Sequence, residues 1–204
     1  MIAIIDYGVG NVRSIQNMIE HIGAAAIITN NPAEICKAGK IILPGVGAFD
    51  KAIRELKASG CLQALTEQVL EHKKPVLGIC LGMQLLTDGS EEGSLPGLGW
   101  IEGISKRFNE AVGIKVPHMQ WNEVHSAVEN ELAGNTNEAQ RFYFAHSYYV
   151  QPADPGHIIL ECSYGRTFAA GIRKNNIYGV QFHPEKSHRF GKQLLKRFAQ
   201  LSEN

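Results

Sequence analysis

Four short apolar runs, IAIID (2–6), AAIIT (25–29), IILP (41–44) and PVLGIC (75–80), are set among segments with helical periodicity centred on Val12–His21, Phe49–Lys57 and Leu62–His72. Runs of this length separated by helices are the pattern of βα units, and strands joined through helices pair in parallel. The first eighty residues therefore predict a parallel sheet. From about Gly99 the character changes. The segments VPHM, NEVH, RFYFAHSYYV, HIILECSY, TFAAGIR and IYGVQF follow one another between Gly, Pro and Asn, and predict a partly antiparallel extension of that sheet. The chain closes on FGKQLLKRFAQL (190–201), where Phe190, Leu194, Leu195, Phe198 and Leu201 recur at helical spacing; this helix is expected to cover one sheet face. DGSEEGSLPGLG (88–99) reads as a surface loop rather than a linker, and no internal repeat divides the chain. The expectation is one α/β domain over residues 1–204.

A chain of 204 residues with 44% hydrophobic and 20% charged side chains is large enough to bury such a core. Twenty basic side chains balance twenty acidic ones, so overall charge draws it neither to nucleic acid nor to an anionic membrane surface. No apolar run approaches the roughly 20 residues of a membrane span. Met1 leads straight into IAII and Asp6, without a basic signal start, so a cytoplasmic protein is expected. Cys36, Cys61, Cys80 and Cys162 form no C-x-x-C pair or close Cys/His cluster, which argues against structural zinc and against a disulfide framework. Free thiols are expected, with Cys36, Cys61 and Cys162 as small buried residues.

Three segments carry possible chemistry. DYGVGN (6–11) lies between a strand and a helix, where a nucleotide phosphate can meet a helix N-terminus. The dinucleotide fingerprint is incomplete, with Arg13 where a third glycine belongs and no acidic residue after the second strand. The simpler reading is a tight strand-to-helix turn, exposed enough to meet a partner. In PVLGICLGMQLL (75–86), Gly78-Ile79-Cys80-Leu81-Gly82 has the spacing of a nucleophile elbow with cysteine in place of serine. A following helix would place its positive end near Cys80, and the Leu81 amide can meet a developing oxyanion; alternatively Cys80 is one more small core residue. In GVQFHPEKSH (179–188), a strand delivers His183 followed by Pro184 and Glu185. Residues two apart in extended backbone share a side, so Glu185 can orient His183, the base a cysteine nucleophile needs. Alone, H-P-E is as readily a solvated turn; with the elbow it suggests a Cys80, His183, Glu185 triad. His188 is expected at a helix start on the surface.

These two motifs together resemble the class I glutamine amidotransferases, and the resemblance runs the length of the chain through IIDYGVGN (4–11), LPGVGAF (43–49), GICLGMQLL (78–86), PHMQWN (117–122), FAHSYYV (144–150) and GVQFHPEKS (179–187). It implies a flavodoxin-like α/β fold and hydrolysis of glutamine to glutamate and ammonia, with no cofactor and no metal. It further implies that Cys80 attacks the carboxamide, His183 protonates departing ammonia, and Glu185 holds His183. Val46, in a strand segment that reorients, would join Leu81 in the oxyanion hole, while Gly47, Gln84, Ser147 and Tyr148 would bind glutamine. The branch of the family with the most similar motifs implies a heterodimer with a HisF-type (β/α)8-barrel cyclase in histidine biosynthesis, contacted or gated through Asn11, Trp121, Tyr143 and Lys186. Gln120 stands where that branch usually has glycine, a departure that falls on the expected partner surface. The alternatives are a related amidotransferase subunit serving a surface-polysaccharide pathway, and a catalytically silent partner-binding module.

Overall fold

The computed structural model describes residues 1–109, 113–134 and 140–202, so the expected 1–204 span includes positions outside the described residues. The first half builds the predicted βα units: β1 (Ile2–Ile5), α1 (Val12–His21), β2 (Ala26–Thr29), α2 (Pro32–Lys37), β3 (Lys40–Gly45), α3 (Phe49–Ala58), α4 (Leu62–Leu70), β4 (Val76–Cys80) and α5 (Leu81–Leu85). The second half supplies β5 (Gly89–Ser90), β6 (Gly103–Arg107), β7 (His118–Ser126), β8 (Gln140–His146), β9 (Tyr148–Pro152), β10 (Ile158–Ser163), β11 (Thr167–Lys174), β12 (Ile177–Val180) and α6 (His188–Gln200). A nine-stranded sheet runs β2-β1-β3-β4-β12-β11-β10-β7-β8. Its first five strands pair in parallel and the rest in antiparallel. A three-stranded sheet, β5-β6-β9, stands beside it.

Alternation along β1 shows how the sequence divides the interior. Ile2 and Ile4 join Ile15 and Ile19 of α1 and Leu194, Leu195 and Phe198 of α6 on one face. Ala3 and Ile5 join Ile35, Phe49, Ile53, Leu56 and Leu65 of α2, α3 and α4 on the other. A strand covered on both faces must be apolar at every position, which is why β1, β3 and β4 read as continuous runs rather than alternating ones. Each of the large fully buried side chains on α6 contributes roughly 1.5–3 kcal/mol by leaving water, enough to hold this helix on the sheet as expected.

Several local expectations change or sharpen. RFYFAHSYYV is two strands, because the chain leaves the large sheet at His146 and joins the small one at Tyr148, with Ser147 as the break. VPHM and NEVH conversely merge into the single strand β7, paired along its length with β8. The 88–99 loop is tied down: Glu92 accepts a hydrogen bond from the Phe49 amide at 2.9 Å, capping α3 where Ala48 offers no side-chain cap. Among the cysteines, Cys61 and Cys162 are buried as expected, but Cys36 is exposed. Ile35 takes the inward face of the short α2, and the next residue is turned about 100° away toward solvent.

Candidate active site

The site forms where β3, β4 and β12 end, at the carboxyl edge of the parallel strands where α/β folds place their ligands. Cys80 closes β4 with φ +54° and ψ −109°, a conformation that costs a side-chain-bearing residue on the order of 1–3 kcal/mol and holds only when the surroundings impose it. Its glycine neighbours make the turn possible. A Cβ on Gly82 would fall 1.9 Å from the Leu43 carbonyl oxygen, and one on Gly78 would fall 2.7 Å from the Gly82 oxygen. The elbow spacing is thus a packing requirement that leaves the thiol at the mouth of a cavity. The helix behind it, α5, spans only five residues, so its help to Cys80 comes from the nearby first-turn amides rather than from a long dipole.

Strand β12 lies directly beside β4, with Gly179 opposite Gly78 and Val180 opposite Ile79. That register carries His183 to Cys80. The His183 amide donates to the Tyr143 carbonyl at 2.9 Å, and the Ser187 hydroxyl donates to the His183 carbonyl at 2.6 Å, fixing the backbone. The His183 Nδ1 lies 2.8 Å from Glu185 Oε1, so Nδ1–H donates to the carboxylate and Nε2 is left for the cysteine. Burial alone would lower the His183 pKa. Hydrogen bonds to Cys80 and Glu185, together with their charges, outweigh it and raise the value to about 10. For Glu185, burial acts upward, but the hydrogen bond and charge of His183, with a further bond from Asn11, bring it below its ordinary value. The pair is arranged to hold an imidazolium against a carboxylate.

Cys80, His183, Val46, Gly47, Leu81, Gln84, Ser147, Tyr148 and Lys186 all line one cavity of about 460 Å³. The buried Gln84 commits both amide hydrogens, to the Tyr148 carbonyl at 3.1 Å and to Gln181 Oε1 at 3.2 Å, so it offers a ligand only its carbonyl oxygen. Of the residues expected at a partner surface, Trp121, Tyr143 and Lys186 are grouped: Trp121 meets Tyr143 edge-on, and the Lys186 ammonium lies 5.7 Å from the Tyr143 ring centroid. Asn11 is placed differently, its Nδ2 donating to Glu185 Oε1 at 3.2 Å. His188 is the exposed first residue of α6, as expected, and stacks flat on Trp121. Gln120 is exposed on β7, where its bulk displaces nothing in the core.

Several polar residues at the site carried no assignment from the sequence. Gln181 directs Nε2 to Cys80 Sγ at 3.8 Å and shares Gln84 as neighbour. His146 Nδ1 donates to the Tyr148 carbonyl at 2.8 Å, its Nε2 accepts from His118 Nδ1 at 3.0 Å, and His118 Nε2 faces the Asn122 amide at 3.4 Å. Burial lowers the pKa values of these two histidines, to about 3 for His146 and about 4 for His118, so both stay neutral and each tautomer is set by its neighbour. The signal was present in PHM and FAHS, histidines inside apolar strands. A separate cavity of about 550 Å³ near Arg173 and Tyr178 has no thiol or histidine among the described residues that line it, and Arg173 is paired with Glu131 at 2.8 Å.

A cysteine on an elbow and a histidine held by a glutamate line one cavity at the carboxyl edge of a mostly parallel sheet, an arrangement suited to cysteine-based amide cleavage. Class I glutamine amidotransferases match residues 3–201, and the chain belongs to that family. It is 51% identical over 201 residues, covering 98% of this chain and all of the relative, to "Imidazole glycerol phosphate synthase subunit HisH 2" of Pseudomonas aeruginosa. It is 53% identical over 198 residues to the protein of the same name from Methanococcus maripaludis, covering 97% of this chain and 98% of that one. A solved glutamine amidotransferase superposes with a TM-score of 0.73 at 17% identity, covering 98% of this chain and 99% of that one, and so shares the fold.

Proposed function

We propose that this chain is the glutaminase subunit of an imidazole glycerol phosphate synthase, acting in the cytoplasm as one domain over residues 1–204. It hydrolyses L-glutamine to glutamate and ammonia and passes the ammonia to a HisF-type (β/α)8-barrel cyclase, which converts PRFAR to imidazole glycerol phosphate and AICAR in histidine biosynthesis. The observation that carries the reading is the Cys80–His183–Glu185 arrangement on the elbow, joined by the 2.8 Å contact between Nδ1 and Oε1.

Cys80 gives its thiol proton to His183 Nε2 as its Sγ attacks the side-chain carbonyl carbon of glutamine, and the Leu81 and Val46 amides receive the oxyanion. His183 gives its proton to the departing ammonia. It then takes a proton from water as that water attacks the γ-glutamyl thioester, and glutamate leaves with Cys80 restored. Glu185 holds the imidazole throughout. The Gln84 carbonyl oxygen, with Gly47, Ser147 and Tyr148, binds the amino-acid end of the substrate. At the mouth of the cavity Met119 is 62% and Val46 37% exposed, apolar surface beside Lys186, Tyr143 and Trp121 that suits a docked partner.

Cys80→Ala is expected to abolish glutamine hydrolysis and glutamine-dependent synthesis by the complex, while added ammonia still drives the partner. Retained hydrolysis in that variant would exclude Cys80 as nucleophile. A second reading, a related subunit in a surface-polysaccharide pathway, draws support from Gln120, exposed on β7 next to the cavity-lining Met119. Growth without histidine, restored by this gene in a strain lacking the glutaminase, separates the two.

A further inference from the structure

The Asp6–Asn11 turn joins β1 to α1 with two glycines at positive φ and none of the completed phosphate fingerprint, and the triad does not include it. Its contacts nevertheless reach both halves of the site. Tyr7 is buried, 3% exposed, and its hydroxyl donates to the Pro44 carbonyl at 2.5 Å. Burial, with the nearby Cys80 and Cys61, pushes the phenol pKa far up, so the group is a hydrogen-bond donor at every working pH. Gly10 brings the turn's backbone onto the same proline, where a Cβ would lie 3.0 Å from Pro44 Cβ. At the far end of the turn Asn11 occupies the N-cap position of α1 without making a capping bond, and its amide goes to Glu185 instead.

Pro44 begins the segment that carries Val46 to the cavity beside Cys80. The residue after it is closely packed: a Cβ on Gly45 would lie 2.7 Å from the Gly82 nitrogen and 2.9 Å from Leu81 Cβ. The residues beyond have room around them. Val46 is exposed, and Gly47, at φ +90°, has nothing within 4 Å of where a Cβ would sit. The segment therefore has a packed base and an open tip, and the Gly45–Val46 peptide between them carries the Val46 N–H. An oxyanion donor works only when aimed at the place where charge develops, so the orientation of that base decides where the amide points.

We propose that Tyr7 is a positioning residue for the oxyanion segment: its hydroxyl fixes the Pro44–Gly45 peptide on which the Val46 amide turns toward Cys80, while Asn11 of the same turn steadies Glu185. The inference rests on the glutaminase reading and deepens it. One turn thereby ties the electrophilic half of the site to its acid-base half, and the glycines keep its backbone close enough to do so.

The test compares Tyr7→Phe with the unaltered chain, each in complex with the barrel partner. Loss of the hydroxyl is expected to lower kcat for glutamine and the rate of γ-glutamyl thioester formation by about tenfold, less than the loss of an oxyanion donor itself. The KM for glutamine, and glutamine binding on a Cys80→Ala background, stay within about twofold, because ground-state contacts are untouched. Alkylation of Cys80 by iodoacetamide, a displacement that forms no oxyanion, keeps its rate and so reports an intact nucleophile in a folded site. Unchanged thioester formation in Tyr7→Phe overturns the proposal, as does an equal fall in alkylation and thioester formation, which marks general disorder. An unaltered complex that does not turn over glutamine removes the glutaminase reading itself, a result distinct from either.

Discussion

Replacing Glu185 by glutamine keeps the size of the side chain and an oxygen for His183 Nδ1–H while removing the charge. Glu185 is 1% exposed at its side chain, and its 2.8 Å contact with His183 is one charge-assisted hydrogen bond away from solvent. Such a bond is worth about 1.5–3 kcal/mol. If that support acts fully on the imidazolium during ammonia departure, kcat for glutamine falls by roughly ten- to 150-fold, at 1.36 kcal/mol per factor of ten. The pH dependence moves with it. His183 is held near a pKa of about 10 partly by the Glu185 charge, so Glu185→Gln brings that value down and the alkaline limb of the rate profile shifts to lower pH. Steady-state glutamate release, followed from pH 6 to 10 with the partner present, measures both effects. An unchanged rate and profile would remove Glu185 from the machinery; a loss as complete as that of Cys80→Ala would show that it does more than orient and support.

Other outcomes follow from the same geometry. Gly82→Ala forces a Cβ to within 1.9 Å of the Leu43 carbonyl, so thermal unfolding should reveal a loss of at least about 1–3 kcal/mol and glutamine turnover should fall with it. His146→Leu removes a donor from the Tyr148 carbonyl beside the pocket; a stability loss of about 1–3 kcal/mol and a raised KM for glutamine are expected, measured by denaturant unfolding and initial rates. His146 and His118 have folded pKa values of about 3 and about 4, below the unfolded value of 6.5, so the unfolded chain binds their protons first. Their contribution makes the protein less stable as pH falls from about 6.5 toward 4, and chemical denaturation at pH 7 and pH 5 reads the difference. Trp121→Ala should weaken the assembly by about 2 kcal/mol or more, as expected for a half-buried aromatic anchor, measured by titration with the barrel partner.

The parallel half of the fold was legible because its strands are covered on both faces: Ile2, Ala3, Ile4 and Ile5 are all buried, and such strands announce themselves as unbroken apolar runs. Cys80 and His183 were legible because their spacing is imposed locally, by glycines that the elbow cannot do without and by a proline between histidine and glutamate. The strand break at Ser147 was not, since the switch from β8 to β9 depends on which sheet offers the next partner, and apolar periodicity continues straight through it. Tyr7 was hidden for a similar reason. Its partner is a backbone carbonyl 37 positions away, and no pattern of residue types marks a carbonyl. Gln181 and His146 look like polar interruptions of strands until the fold aims one at Cys80 and the other at Tyr148. Asn11 was expected at the partner surface by resemblance, and its bond to Glu185, 174 positions on, was not legible in the sequence.

Covalent chemistry at Cys80 is the centre of the account, and one measurement addresses it without reference to any partner's reaction. The complex is mixed with glutamine, quenched in acid within its first turnovers, digested and examined by mass spectrometry. A γ-glutamyl thioester on the peptide that contains Cys80, absent after Cys80→Ala, is the expected result. Continued release of glutamate with no adduct on Cys80, or with an adduct on Cys36, Cys61 or Cys162 instead, would contradict it.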